Sequence, residues 1–139
     1  MTLLDAKPPK PPTGIGKYIS PPTVILFVLV IALLGGFLGY HFWNYPEERA
    51  ATRFLNALQQ GNFREAYQLW QPSPSYTFAD FLGDWGEQGD YGKIREFKIL
   101  QSRSKGPRTV IVTVQINHAS PPLDLLVDRK TKGLAYSIF

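Results

Sequence analysis

The chain is short, mildly basic and free of cysteine, with 139 residues that include 15 Lys and Arg against 11 Asp and Glu, a formal net charge of +4. The lack of cysteine excludes disulfides, lipoprotein processing and thiolate metal sites. The small positive excess lacks the dense basic stripe of a nucleic-acid-binding surface, so we expect no nucleic-acid partner.

Residues 1–22 form a basic, proline-rich tail. They contain six of the twelve prolines of the chain, and their three lysines are accompanied by a single acid, Asp5. A segment of this composition does not pack a core, so we predict an extended or disordered tail. Residues 8–12 (Pro-Pro-Lys-Pro-Pro) are either a polyproline ligand for a cytoplasmic partner or simply a stiff part of the tail.

A transmembrane helix is predicted over residues 23–43. Residues 24–43 contain no Asp, Glu, Lys or Arg, and twenty helical residues cross a hydrocarbon core of about 30 Å. The lysines before this run, with Glu47 and Glu48 directly after it, predict a cytoplasmic N-terminus by the positive-inside rule. Residues 44–139 would then form one domain outside the cytoplasm.

A cleaved signal peptide is the alternative interpretation of the same run, because a basic segment followed by an apolar stretch describes both. Signal peptidase requires small residues at the end of the stretch. Tyr40, Phe42 and Trp43 are bulky aromatic residues at that place. We therefore favour a retained span.

Small residues recur within the span at a spacing of four. Gly35 and Gly39 form one G-x-x-x-G pair, and Ala32 with Gly36 forms a second small pair beside it. Small residues on one helix face let another backbone approach closely in lipid. These four residues are the predicted helix–helix packing site, although glycine is also common in spans that pair with nothing. The lack of charge in the span argues against an ion pathway.

Three helices are predicted after the span. The first begins near Asn44 and ends at Gly61, with apolar residues at helical spacing. Asn62 followed by Glu65, and Thr77 followed by Asp80, are capping patterns that begin the second and third helices.

Four strands are predicted from Ile94 onward, because apolar residues then alternate with polar ones. Turn sequences separate runs that are adjacent in the chain, so an antiparallel meander is the economical arrangement. The predicted fold class is α+β: one N-terminal transmembrane helix, then three helices packed on a four-stranded antiparallel sheet. Basic residues cluster in the turns at 103–108 and 129–132. We interpret them as charges that keep sheet edges soluble, with contact to anionic headgroups as the alternative.

The exterior segment resembles small bacterial NTF2-like (cystatin-like, cone-shaped α+β) domains. The resemblance rests on residues 51–70 (ATRFLNALQQGNFREAYQLW), on Ser73-Pro74, on a helix with Phe81 and Trp85, and on the four strands that follow. It covers residues 46–139. It implies a curved sheet around a long helix, with a cavity that relatives use for ligands, for catalysis or as a scaffold. Membrane-anchored relatives occur as structural subunits of larger membrane assemblies.

The sequence offers little chemistry for such a cavity. Enzymes of the superfamily place an Asp, or a His/Asp pair with a Tyr, inside the cone for proton transfer. No such pair can be named here, since Asp84 and Asp90 fit solvated loops as well as a pocket mouth. No metal-ligand spacing or phosphate loop is present, so we expect no cofactor and no enzyme activity. The candidate cavity-lining residues are Tyr67, Trp70, Trp85, Tyr91 and His118, although the four aromatic ones also suit a packed core.

We therefore expect a non-catalytic accessory subunit of a bacterial membrane protein complex. The resemblance and the span together predict the bacterial inner (cytoplasmic) membrane, a cytoplasmic N-terminus and a periplasmic domain. Its expected partners are other membrane protein subunits, contacted by the span and by the exterior domain, together with membrane lipid. The alternatives are a membrane-anchored module that binds a small ligand or lipid in the cone, and a residual enzyme.

Overall fold

A computed structural model of the chain describes residues 8–10 and 20–137. Most of the predicted proline-rich tail lies outside the described residues. Within them the chain forms four helices, namely α1 Pro21–Phe42, α2 Tyr45–Gln59, α3 Phe63–Trp70 and α4 Phe78–Trp85. The strands are β1 Phe97–Lys105, β2 Thr109–Ile116, β3 Leu123–Asp128 and β4 Leu134–Tyr136. The chain divides into two compact units, Met1–Tyr40 and His41–Phe139.

The first unit is dominated by helix α1. It begins at Pro21 and Pro22, which suit a first helical turn because that turn needs no backbone N–H donor. All 22 residues of α1 are exposed, and at 1.5 Å per residue the helix is about 33 Å long. The predicted long apolar helix is confirmed, and by length and composition it is a candidate membrane span.

The short helices of the second unit begin and end at residues that cap them. Asn62 Oδ1 accepts the backbone N–H of Glu65, and Thr77 and Asp80 form a reciprocal capping box. Helix α2 ends in a Schellman motif, because the Asn62 N–H bonds to Ala57 O at 2.8 Å across Gly61, whose φ of +73° favours glycine. The predicted caps at Asn62 and Thr77 are confirmed.

The sheet is an open antiparallel meander in the order β1-β2-β3-β4. Ile99 pairs with Val114, Val112 with Leu125, and Val127 with Leu134. The register of β1 shifts at Leu100, where a bulge interrupts the pairing with β2. Both the α+β class and the four-stranded antiparallel sheet are confirmed.

The core lies between this sheet and the helices. Helix α2 packs against β1, β2 and β3, α3 packs against α2 and β4, and α4 packs against α3. Branched residues of β2 and β3 face α2, which contributes the fully buried Phe54 and Leu55. Burial of such side chains stabilises a small domain by about 1.5–3 kcal/mol each.

The opposite face of the sheet is polar. Thr113 Oγ1 donates to Asp124 Oδ1 at 2.5 Å, and Arg103 lies 3.3 Å from Asp124. Ile111 is buried on the same strand but lies outside the main core cluster. This arrangement covers the outer face of the sheet with hydrogen-bonded side chains, as expected for an antiparallel sheet with one face in solvent.

Candidate functional site

Three of the predicted cavity-lining residues lie together in a packed aromatic cluster. The Trp85 ring stacks with the rings of Tyr91 and Tyr136, at centroid distances of 4.6 and 5.7 Å. Trp70 lies 5.6 Å from Trp85 and 5.3 Å from Phe54. Both tryptophans are almost fully buried. Stacked and tilted rings at these distances attract each other beyond the effect of burial.

Tyr67 joins the edge of this cluster, whereas His118 lies apart from it. The Tyr67 ring is 5.4 Å from Phe81, and its hydroxyl donates to Tyr76 O at 2.7 Å. His118 follows β2 with a φ of +58° and a side chain that is 80 % exposed. Its Nε2 lies 2.5 Å from Glu96 Oε1. The structure therefore brings together four of the five predicted residues and leaves the histidine on the surface.

A small pocket lies beside the aromatic cluster. It has a volume of about 80 Å³ and is lined in part by Trp85, Phe63 and Ile94. The indole N–H of Trp85 is buried and has no hydrogen-bond partner among the described residues. A volume of this size admits a few water molecules but is far below the 300–1,000 Å³ typical of small-molecule sites.

A polar rim borders the cluster on α4. Asp84 is half-buried and accepts the Tyr76 hydroxyl at 2.5 Å. Burial, then the hydrogen bond from Tyr76 to Asp84 and the charge of Asp84, raise the pKa of Tyr76 far above its ordinary value. Burial, followed by the charge of Asp84, likewise raises the pKa of Tyr136. Phenols with raised pKa values stay neutral, so the Tyr76 hydroxyl remains a hydrogen-bond donor to Asp84.

A buried carboxylate organises the other end of the domain. Glu47, in the first turn of α2, is only 2 % exposed. Its carboxylate lies 2.5 Å from Lys132 Nζ and 3.5 Å from Arg129 Nη1. Arg129 also donates to Asn44 Oδ1 at 2.9 Å and to Ser104 Oγ at 2.7 Å. A charge this deeply buried persists only when it is paired and hydrogen-bonded.

Neighbouring contacts extend this network, which we call the Glu47 clamp: Asn44, Glu47, Glu48, Ser102, Ser104, Arg129 and Lys132. Ser102 donates to Glu48, and the Arg129 guanidinium lies 6.0 Å from the Trp43 ring. The clamp ties residues 43–48 to β1 and to the β3–β4 turn. Arg129 and Lys132 therefore do more than keep a sheet edge soluble, the role that the sequence predicted, because both are paired with the buried Glu47 carboxylate.

A groove of about 600 Å³ runs beside α2, and we call it the α2 groove. Its walls are α2, the end of α3 and the β3–β4 turn. Gln71 holds two of these walls together, since its Nε2 donates to Thr131 O at 2.7 Å. The lining includes Tyr45, Ala50, Leu69 and Leu134, together with the cations Arg49, Arg53 and Lys132.

Sequence reasoning missed both the clamp and the groove. The sequence contained one local indication of the groove. Arg49 and Arg53 are four residues apart and therefore share a face of α2. Like charges at this spacing destabilise a helix, which makes such a pair worth noting. The clamp carried no local signal, since Glu47 and Lys132 are 85 positions apart.

The predicted helix–helix packing residues lie on α1. Ala32, Gly35, Gly36 and Gly39 are all exposed. A Cβ atom added at any of the three glycines would meet nothing within 4 Å. Residues described in this chain therefore leave the small-residue face of α1 open.

Comparisons with known proteins identify no relative of this chain. No protein-family model matches the chain, and neither a curated protein nor a solved structure matches it. Within residues 8–10 and 20–137, no group of three His, Asp or Glu side chains could hold a metal ion. The candidate functional features of this chain are therefore helix α1, the Glu47 clamp and the α2 groove.

Proposed function

We propose that this protein is a single-pass membrane subunit whose exterior domain has a structural rather than a catalytic role. The observation that carries the proposal is α1, a 22-residue apolar helix without one buried residue. Phe27 and Leu33, for example, are 66 % and 73 % exposed. Soluble proteins rarely expose so large a continuous apolar surface, and a bilayer is the solvent that suits it.

Charge supports an orientation with the N-terminus in the cytoplasm. Three lysines precede α1, whereas the nearest cations after it are Arg49 and Arg53 on a folded domain. Folded domains are translocated largely regardless of their charge, so the short basic tail dominates. We infer a bacterial inner membrane location with a periplasmic domain, in line with the NTF2-like resemblance.

The packing of the exterior domain favours a non-catalytic role. Aromatic rings fill the space between the helices and β4. The Tyr76 hydroxyl is bound to the Asp84 carboxylate, and the exposed His118 is bound to Glu96. These features suit a domain that presents surfaces to partner subunits.

The small-residue face of α1 suggests how a partner subunit is bound. Gly35 and Gly39 offer the close backbone approach by which helices associate in lipid. Leucine at both positions would fit the isolated chain, because nothing lies near either Cβ position. The Gly35→Leu, Gly39→Leu double variant therefore tests contact with a partner and leaves the internal packing of the protein unchanged.

The test is to tag the C-terminus, solubilise in mild detergent and identify the co-migrating proteins on a native gel by mass spectrometry. We expect a stoichiometric partner set with the native chain and its loss with the glycine double variant. Val30→Leu with Leu34→Phe is the matched control, since it adds bulk on about the opposite face of α1. A double variant that keeps every partner would overturn packing through the glycine face.

Ligand binding is the second candidate function, and the α2 groove is the observation that favours it. Its volume of about 600 Å³ lies in the range of small-molecule sites. It mixes apolar side chains with a few cations, as such sites commonly do. A lone monomer on the native gel would shift the assignment toward this function.

A further inference from the structure

Two arginines on α2 lie on the groove and have no partner among the residues that the structure describes. Arg49 and Arg53 both line the α2 groove and are both exposed. Neither forms an ion pair or a side-chain hydrogen bond within residues 8–10 and 20–137. Like charges four residues apart destabilise a helix, so the charge pair itself does not stabilise α2. Two guanidinium groups on one face of α2 attract an anion strongly.

The surroundings of the arginines are net positive and partly apolar. The groove lining contains a third cation, Lys132, which is bound to Glu47, and it contains no Asp or Glu. Ala50, Leu69 and Leu134 supply apolar surface to the same groove. A ligand that fits this lining carries both a negative group and hydrocarbon.

A second depression extends the same face of α2. It has a volume of about 340 Å³ and shares Arg49 and Arg53 with the groove. Thr52, Asn56 and Gln60 add hydroxyl and amide groups, and Glu65 is its one acid. Glu65 accepts a hydrogen bond from Asn62 at 2.7 Å. The two arginines thus stand between two depressions that both offer hydrogen-bond donors.

The chain itself keeps this face close to the end of α1. Arg49 follows Phe42 by seven residues, which reach at most about 25 Å when extended and about 10 Å when helical. The headgroup layer on each side of a bilayer is roughly 5–8 Å deep. If α1 spans the membrane, as proposed above, this seven-residue connection exposes the groove to a high local concentration of lipid headgroups.

We propose that the α2 groove binds an anionic phospholipid of the surrounding membrane, with its headgroup phosphate between Arg49 and Arg53. Guanidinium groups bind phosphate through paired N–H donors, which a single lysine cannot reproduce. The apolar lining accommodates the glycerol and the first acyl carbons. The Glu47 clamp and the Gln71 contact to Thr131 hold the walls of the groove, so the site is formed before the lipid arrives.

The test uses the full chain, delipidated in detergent and titrated with phosphatidylglycerol or phosphatidylcholine, with bound lipid counted by native mass spectrometry. We expect the native chain to prefer phosphatidylglycerol. Arg49→Gln with Arg53→Gln should weaken that binding about 25-fold, because each cation near an anionic headgroup contributes a factor of about five. Arg95→Gln with Lys98→Gln removes the same charge from exposed positions outside the groove, and this control should change binding less than twofold.

Several results would overturn the assignment. Equal weakening by both double variants would mean that net charge alone attracts the lipid. Full displacement by 50 mM inorganic phosphate would mean that the site takes phosphate from any source. Retained lipid binding together with loss of a co-purifying protein would mean that the arginines bind an acidic segment of a partner subunit.

The lipid test is separable from the test of the span. Extraction of native membranes with alkaline carbonate reports whether α1 is inserted, and it does not involve the arginines. The titration in detergent reports headgroup selectivity, and it does not require a bilayer. Release by carbonate with retained lipid selectivity would overturn the span alone, whereas the reverse would overturn the groove assignment alone.

Discussion

Helix α1 and the second unit differ in how far their side chains are buried. Every residue of α1 is exposed, including large apolar side chains such as Phe27 and Leu33. In the second unit even a carboxylate, Glu47, is buried and paired with two cations. The comparison teaches that the second unit carries its own stabilising contacts, whereas α1 depends on an environment outside the chain.

The same substitution should therefore have different effects in the two regions. Phe54→Ala removes a fully buried ring from the core, and we expect the free energy of unfolding of the domain to fall by about 3–5 kcal/mol. Phe27→Ala on α1 should leave it unchanged within about 0.5 kcal/mol, since Phe27 is 66 % exposed in the chain. Urea unfolding of the full chain in detergent, followed by tryptophan fluorescence, measures both. Equal losses would contradict the independence of the two regions.

Loss of the buried carboxylate should have the next largest effect. Glu47→Ala leaves Lys132 and Arg129 without their carboxylate partner, and because these cations are 37 % and 22 % exposed we expect a cost of about 1–3 kcal/mol. Glu87→Ala is the matched control, because its pair with Lys93 at 3.7 Å is exposed and worth less than about 1 kcal/mol. The same urea titration applies. A Glu47 variant as stable as the Glu87 variant would show that the clamp is dispensable.

The smallest effect near neutral pH should come from the rim tyrosines. Burial raises the pKa of Tyr76 and of Tyr136 in the folded protein. Their contribution is therefore fully present below the unfolded tyrosine pKa of about 10 and is lost as pH rises above it. Stability measured between pH 8 and 11 should be flat at first and then fall.

Tyr136→Phe tests the origin of that fall. Phenylalanine keeps the ring stack on Trp85 but cannot ionise. We expect the variant to lose less stability between pH 10 and 11 than the native chain does. An unchanged alkaline slope in both Tyr136→Phe and Tyr76→Phe would assign the fall to other groups.

Local features of the sequence predicted most of the fold. The apolar run gave the position of α1, the Asn62 and Thr77 caps gave the starts of α3 and α4, and alternation gave β2 and β3. Each of these signals acts within a few residues, so the chain itself displays it. Strand β1 begins at Phe97, the first residue of the predicted alternation, and its bulge at Leu100 lies where two adjacent apolar residues, Ile99 and Leu100, interrupt that alternation.

The candidate site depends on contacts that no local pattern reveals. Glu47 looks like an ordinary acid in a first helical turn, and its burial follows from two cations more than 80 positions away. The α2 groove needs three elements to form its walls. His118 shows the converse, because a lone histidine at a strand end suggested a cavity but its φ of +58° turns it toward Glu96 on the surface.

The central claim, a single span with the second unit outside the cytoplasm, can be tested by labelling single cysteines. The chain has no native cysteine, so Pro9→Cys and Ser75→Cys each introduce one thiol at an exposed position. In bacterial spheroplasts, a membrane-impermeant maleimide should label Ser75→Cys directly and Pro9→Cys only after permeabilisation. Labelling of both cysteines without permeabilisation, or of Pro9→Cys alone, would contradict the proposed topology.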